Sequence, residues 1–262
     1  MDAADTVDVA GTADTAVSGP GGPCLPAPGT VRGIRGPGDA ATRRWVAPPH
    51  ARILGRMRID FDPEAMGRTP LYKLLTSVVV PRPIAWVATV SANGTANLAP
   101  HSFFTVASVA PPIVQFTSVG RKDSLRNVED TGEFVVNFAP EGLFEQINAT
   151  ATDFPHGVSE FEAVGVAQEA SARVKPPRVA GAPVALECVV HSTLGLGDAT
   201  VVFGRVVHAA IDEEVLVDGH AEITRLRPLA RLGKDEWGTV GDVLELARVR
   251  YADWEGERPG KG

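Results

Sequence analysis

The sequence predicts a mainly β protein built as an antiparallel barrel, and three observations carry that prediction. Strand-length runs rich in Val, Ile, Phe and Thr recur between residues 78 and 211, with turn residues between them. The dipeptides Asn93-Gly94 and Asp218-Gly219 sit where tight hairpins need positive φ. Stretches with helical spacing are short, and there is no alternation of strand and helix such as a parallel sheet requires.

Residues 1–56 stand apart from this pattern. They are rich in Ala, Gly, Pro, Thr and Asp and bury too little to offset the entropy of ordering. They are expected to be a disordered tail or the product of a mis-assigned start, with Met57 the alternative first residue. Arg32, Arg35, Arg43 and Arg44 make the second half basic, but no apolar run near Met1 resembles a secretory leader. A single domain is expected over 57–245, followed by a polar tail over 246–262.

Within the domain, Leu71, Tyr72, Leu74 and Leu75 suit a short amphipathic helix leading into Val78-Val79-Val80. Pro81 and Pro83 have no N–H to give a ladder, so they mark an edge, a bulge or a turn. The unbroken apolar run from Ile84 to Val90 predicts a strand buried on both faces. After Asn93-Gly94, Ala96 to Leu98 should pair back antiparallel. The chain then continues through Phe103 to Val109, with a bulge expected at Pro100. Ile113 to Thr117 is a further strand.

Asp123 or Ser124 is the expected cap of a helix over Leu125–Asp130, which Gly132 ends. Phe134 to Phe138 reads as a strand. Leu143, Phe144 and Ile147 have helical spacing, which assigns them to the core on a helix that runs to Pro155. Val184, Leu186, Cys188 and Val190 alternate as a half-buried strand. Gly195 to Asp198 turns the chain, and Thr200 to Ile211 returns as a long strand.

Much chemistry is excluded. A net charge of -7 argues against nucleic acid or an anionic membrane as a partner. Cys24 and Cys188 form no C-x-x-C pair, and the six histidines lack metal-ligand spacing, so no metal site is expected. No apolar run is long enough to span a bilayer. These features predict a cytoplasmic protein. Gly195-Leu196-Gly197-Asp198-Ala199-Thr200 lacks the third glycine of a dinucleotide fingerprint. There is neither a Walker A sequence nor a G-x-S-x-G elbow.

The informative stretch is 77–124. Pro81-Arg82-Pro83 and Ala99-Pro100-His101-Ser102 interrupt apolar strands and free backbone groups there. Thr89, Asn97 and Ser102 add polar side chains, and Phe103 and Phe104 could supply apolar wall; Trp86 reads as core. Ser118, Arg121, Lys122 and Ser124 cluster where a strand opens into a helix N-terminus, which suits a phosphate. The same charged residues also read as a solvated turn. Asn97 and Ser102 are equally open to a structural role, because a buried polar group needs a partner whatever its function. Taken as a site, the set suits a mononucleotide flavin.

An ordered series of motifs resembles the flavin reductase-like family, whose fold is the FMN-binding split β-barrel and which includes flavoredoxin-like flavoproteins. The series begins with Tyr72-Lys73-Leu74-Leu75 and Val80-Pro81-Arg82-Pro83-Ile84-Ala85-Trp86-Val87. It continues with Asn97-Leu98-Ala99-Pro100-His101-Ser102-Phe103-Phe104, Pro111-Pro112, and Lys122-Asp123-Ser124 with Asn127. Glu160-Phe161, Leu186-Glu187-Cys188, Phe203-Gly204-Arg205-Val206 and Arg231-Leu232-Gly233 complete it.

The resemblance implies a six-stranded Greek-key barrel with short accessory helices, a homodimer, and FMN at the dimer interface. It places Asn97, Ala99, Ser102 and Phe103 at the ring and ribityl chain, and Lys122, Asp123 and Ser124 near the phosphate. Arg82 and Pro83 belong beside the cofactor, and Arg231 and Gly233 to a C-terminal segment approaching it from either subunit. Thr89, His101 and Ser118 complete the expected cofactor-binding set. His101 replaces an apolar or small polar residue, and Trp237 stands where Tyr is frequent; both changes bear on the substrate pocket more than on flavin binding.

The implied function is an FMN-dependent oxidoreductase of flavin reductase type. NAD(P)H, a transient co-substrate, would reduce bound FMN by hydride transfer to N5, so no catalytic side chain is assigned. Electrons would pass to free flavin, to oxygen through a partner monooxygenase, or to another redox protein. The alternatives are an FMN-binding electron carrier without NAD(P)H activity, and a barrel holding haem or F420.

Overall fold

The computed structural model describes residues 58–251 of the 262. The expectations for the first 56 residues, and for the tail beyond Tyr251, lie outside them. The amphipathic run near Tyr72 forms α1 (Arg68–Val78). Pro81-Arg82-Pro83 is neither bulge nor turn: Arg82–Pro83 form β1, which pairs with β13 (Ala230–Arg231), and β13 in turn pairs with β14 (Trp237–Gly238).

The main sheet contains β2 (Ala85–Val90), β3 (Ala96–His101), β4 (Phe104–Ser108), β5 (Ile113–Val119) and β6 (Glu133–Phe138). Two long strands, β9 (Val184–Leu196) and β10 (Ala199–Ile211), complete it. A small ribbon of β7 (Gln168–Glu169) and β8 (Arg178–Val179) lies between β6 and β9 in sequence. β11 (Leu216–Val217) and β12 (His220–Ala221) form the hairpin expected at Asp218-Gly219. The helices after α1 are α2 (Asp123–Thr131), α3 (Phe144–Ala149), α4 (Glu160–Val164) and α5 (Ile223–Leu226).

The order across the main sheet is β3-β2-β6-β9-β10-β5-β4, with every neighbouring pair antiparallel. Its two outermost strands, β3 and β4, are joined by Ser102 and Phe103 alone. Three Cα steps reach about 11 Å at most. The outer edges of the sheet must therefore come together, and the sheet is rolled into a barrel that stays open between β3 and β4. This is the split barrel that the resemblance implies, with seven strands when β3 and β4 are counted separately.

Alternation explains why β2 reads as an unbroken apolar run. Ala85 and Val87 enter the barrel interior with Phe104, Phe116, Phe134 and Val202, and Leu125 and Val128 of α2 join them. Trp86 and Ala88 face outward, where Leu98, Ile147 of α3 and Phe161 of α4 cover them. Gly204 on β10 faces the interior. A Cβ there would overlap the Phe134 ring and lie 3.1 Å from Cys188 Cβ.

Several local readings are corrected. Pro100 forces no bulge, because β3 keeps one register with β2 from Ala96 to His101. The N–H of Leu98 points away from β2, toward Glu160. Pro100 has the same parity on this edge strand, so its missing N–H costs no ladder bond. The irregularity falls instead between Val106 and Ser108. Helix α2 begins at Asp123, with Lys122 as N-cap and no side-chain cap. α3 stops at Ala149 rather than Pro155. Phe144 is 39 % exposed, outside the core, and its ring meets Trp237 edge-on at 5.0 Å. β9 is covered on both faces at its start, where Ala185 and Glu187 are buried as well as Val184 and Cys188. Glu187 has no exposed surface; it accepts from the N–H groups of Ala172 and Arg173 and from Arg178.

Gly204→Ala should destabilise the barrel by about 1–3 kcal/mol through overpacking against Phe134. Urea unfolding checks it; an unchanged midpoint would mean that the interior yields at no cost.

Candidate functional site

The split between β3 and β4 opens into a cleft of about 300 Å³. One wall is the outer edge of β3, at Ala99, Pro100 and His101, and a second is the end of β5, from Thr117 to Val119. Ser102 and Phe103 cross its mouth, and the loop from Thr150 to Asp153 faces them. The floor is the first turn of α2, Lys122, Asp123 and Ser124.

That first turn has the character of an anion site. The leading N–H groups of a helix have no partner within it, and none here is taken by a capping side chain. Lys122 Nζ stands beside them, 2.8 Å from Asp153 Oδ1 on the facing loop, and both side chains are exposed. Asp123 does not oppose an anion as a free carboxylate would. It is turned to Arg126 and to His156 Nδ1 at 2.9 Å, at the border of a neighbouring cavity of about 240 Å³. The hydroxyl of Ser118 donates to Gly120 O and that of Ser124 to Asn97 Oδ1, so each would have to turn before donating to a ligand.

Beneath the cleft lies a buried polar network. Asn97 Nδ2 donates to Glu160 Oε2 at 2.5 Å, and the Leu98 N–H donates to the same oxygen at 2.9 Å. Asn97 Oδ1 accepts from Ser124 at 3.1 Å and from Thr89 at 3.2 Å, and Thr89 accepts from Asn127 at 3.0 Å. Every polar atom of the Asn97 amide is used inside the protein. The network ties β2, β3, α2 and α4 together and positions the cleft floor.

His101 is the unusual wall residue. Its Nδ1 lies 3.4 Å from Thr117 O, and its ring packs 4.7 Å from Phe116. Nε2 is buried without a partner. Burial pulls its pKa down to about 4, against the Thr117 carbonyl that raises it and with the Lys122 cation that lowers it further. His101 is therefore neutral at pH 7.

A second, more apolar cleft of about 380 Å³ adjoins the first and shares Ser102, Phe103 and Thr117 with it. Arg82 and Pro83 line it, together with Leu75, Val79 and Gln115. Arg82 is only 8 % exposed. Its Nη1 donates to Thr76 O and to Val79 O at 3.0 Å, and its Nη2 to Leu232 O at 2.7 Å, closing the C-terminal end of α1. Its Nε–H is buried without a partner. Burial lowers its pKa; Tyr72 acts in the opposite sense and Arg231 in the same sense.

Of the residues expected to bind a cofactor, Ala99, His101, Ser102, Phe103, Ser118, Lys122, Asp123 and Ser124 line the first cleft, and Arg82 and Pro83 line the second. Thr89 and Asn97 lie in the network below. Arg231 and Gly233 line neither cleft. Arg231 pairs with Arg82 across β1 and β13 and stacks 4.7 Å over Trp237, while Gly233 allows Ser77 of α1 a close approach. Tyr72, Thr117, Glu160 and Gln115 line the clefts from outside that expected set; Tyr72 and Glu160 belong to the family motifs, whereas Thr117 and Gln115 carry no sequence signal.

The chain matches the flavin reductase like domain over residues 77–227 and belongs to that family. It is 38% identical over 208 residues to an uncharacterized protein of Deinococcus radiodurans, covering 74% of this chain and 92% of the relative. Among solved structures it is similar to nitrilotriacetate monooxygenase component B from Bacillus cereus, with 31% identity and a TM-score of 0.70, covering 73% of this chain and all of that one. It is similar, too, to the 2-nitrobenzoate 2-nitroreductase of Pseudomonas fluorescens, with 28% identity and a TM-score of 0.70, covering 78% of this chain and all of that one. The chain is thus a flavin-related oxidoreductase. No helix among the described residues is long and apolar enough to cross a membrane.

Two outcomes follow from the buried groups. Asn97→Leu should lower the stability of the ligand-free protein by about 2 kcal/mol or more, because Glu160, Ser124 and Thr89 each lose a buried partner; denaturant unfolding without added flavin reads it. His101 in the unfolded chain titrates near pH 6.5 and in the folded chain near 4. The unfolded state therefore binds more protons in between, and stability should fall as pH drops from about 6.5 toward 4. In His101→Phe that part of the pH dependence should disappear, as urea midpoints across the range would show.

Proposed function

We propose that the protein is an FMN-dependent oxidoreductase whose bound flavin is reduced by NADH or NADPH. The observation that carries this reading is the uncapped N-terminus of α2, with Lys122 beside it, on the floor of a cleft walled by a strand edge. A flavin mononucleotide phosphate carries roughly two negative charges, and a helix N-terminus with an adjacent cation is suited to it. The cleft lies at the lower end of the ~300–1,000 Å³ range of small-molecule sites, and the adjoining cleft extends the available space. The residues present fit the group.

When bound, the flavin would supply the redox chemistry as a hydride acceptor from a nicotinamide. The protein's part is binding and exclusion. Lys122 and the α2 N–H groups would hold the phosphate, which would take the place of Asp153 beside Lys122. Ala99 to Phe103 line the ring and ribityl chain. His101, neutral and held against Phe116, keeps a charge out of that wall. Asn97 and Glu160 act from below, fixing the strand edge and the helix end relative to each other.

The assembly we propose is a cytoplasmic homodimer. Val78 of α1, Val106 of β4 and Val109 expose large apolar surface. Gel filtration of the purified chain should give a dimer. The similarity to a monooxygenase component B supports a partner monooxygenase as one electron acceptor.

Reconstitution with FMN should give a flavin spectrum that NADH or NADPH bleaches without oxygen. No flavin uptake would end the reading, and bleaching only by a reduced protein would make the chain an electron carrier. Lys122→Ala should weaken FMN binding about tenfold, close to 1.4 kcal/mol, because an exposed charge-assisted bond to phosphate is lost. Equal affinity in a fluorescence titration would assign Lys122 to Asp153 alone.

A further inference from the structure

The second cleft contains a charge problem that the flavin reading leaves unsolved. Arg82 is buried, and a guanidinium stays protonated at any ordinary pH. Among the described residues no carboxylate pairs with it, since its Nη groups meet only the carbonyls of Thr76, Val79 and Leu232. Among the described residues its Nε–H has no partner. A buried cation balanced only by neutral dipoles is costly, and such sites are normally completed by an anion.

The rest of the cleft limits what that anion can be. Leu75, Val79, Pro81, Pro83, Phe103 and Phe104 make its surface mostly apolar. Gln115 also lines it, and among the described residues no partner engages its amide. Apolar walls with a few unengaged polar groups are the pattern of a small-molecule site. A nucleotide phosphate would leave most of those walls unused, whereas an apolar body with one anionic group would use both the walls and the Arg82 charge.

We infer that this second cleft, between α1, β1 and the Ser102-Phe103 crossing, binds a small apolar molecule bearing an anionic group, with the buried Arg82 charge in its wall to attract it. The ligand would lie beside whatever occupies the first cleft, because Ser102, Phe103 and Thr117 border both. In assigning that neighbour as a flavin, and this ligand as a second substrate, the inference rests on the function proposed above. The binding site itself does not.

The test uses 2-naphthoate as the anionic probe and 2-naphthamide as its neutral counterpart, titrated by calorimetry into the full chain with and without FMN. The naphthoate should bind at least tenfold more tightly than the amide. Arg82 also closes α1, so Arg82→Gln would test folding together with binding. Val79→Trp, at an exposed position on the cleft wall, fills the space instead. It should weaken naphthoate at least tenfold while FMN affinity is kept. Gln115→Leu should weaken it severalfold. Equal binding of acid and amide, or unchanged binding to Val79→Trp, would overturn the inference. Mutual exclusion of naphthoate and FMN would overturn it too, by making this cleft part of the flavin's own seat. If the protein takes up no FMN yet shows the naphthoate pattern, the flavin reading fails and this site stands.

Discussion

The structure depends on one short connection. β3 and β4 lie at opposite ends of the hydrogen-bonded strand order, yet Ser102 and Phe103 alone join them. Two residues cannot cross a flat sheet of seven strands, so the sheet has to roll. Thr117 then donates its N–H to Phe103 O at 2.9 Å, tying the crossing to β5. Rolling without a ladder between β3 and β4 leaves strand edges exposed to a ligand, and both clefts open on either side of this crossing.

Buried polar groups divide into two kinds around that opening. Some are fully paired and set positions. Asn97 with Glu160 beneath the cleft, and Glu187 with Arg178 and two backbone N–H groups farther off, act as fixed ties between elements that would otherwise slide. Others are left incomplete. Arg82 Nε and His101 Nε2 are buried without partners, and both residues line a cleft. Incomplete pairing is expensive in a packed interior. Its position on these walls is the physical basis for reading them as ligand surfaces.

Much of the fold was legible because its signals are local. The unbroken apolar run of β2, the Asn93-Gly94 and Asp218-Gly219 turns and the αL glycine at 132 each act within a few residues. The motif series extended this to the family. Misreadings came where a distant contact decided. Pro100 sits without a bulge because β3 is an edge strand, and an edge is a property of the whole sheet. Phe144 left the core because Trp237 offers it an aromatic face at the surface, and no spacing rule sees a partner ninety-three positions away.

By itself the sequence determined the element types, the residues at the strand breaks and the charged turn at Lys122, since backbone sterics, apolar periodicity and glycine's freedom operate along the chain. Tertiary structure decided how those residues are used. It withdrew Asn97 and Thr89 into a supporting network and turned Asp123 toward Arg126 and His156. It buried Arg82 beneath the end of α1 with no acid among the described residues beside it. Which groups are satisfied and which are left to meet a ligand depends on where distant chain segments come to rest, so that division appears only when the barrel closes.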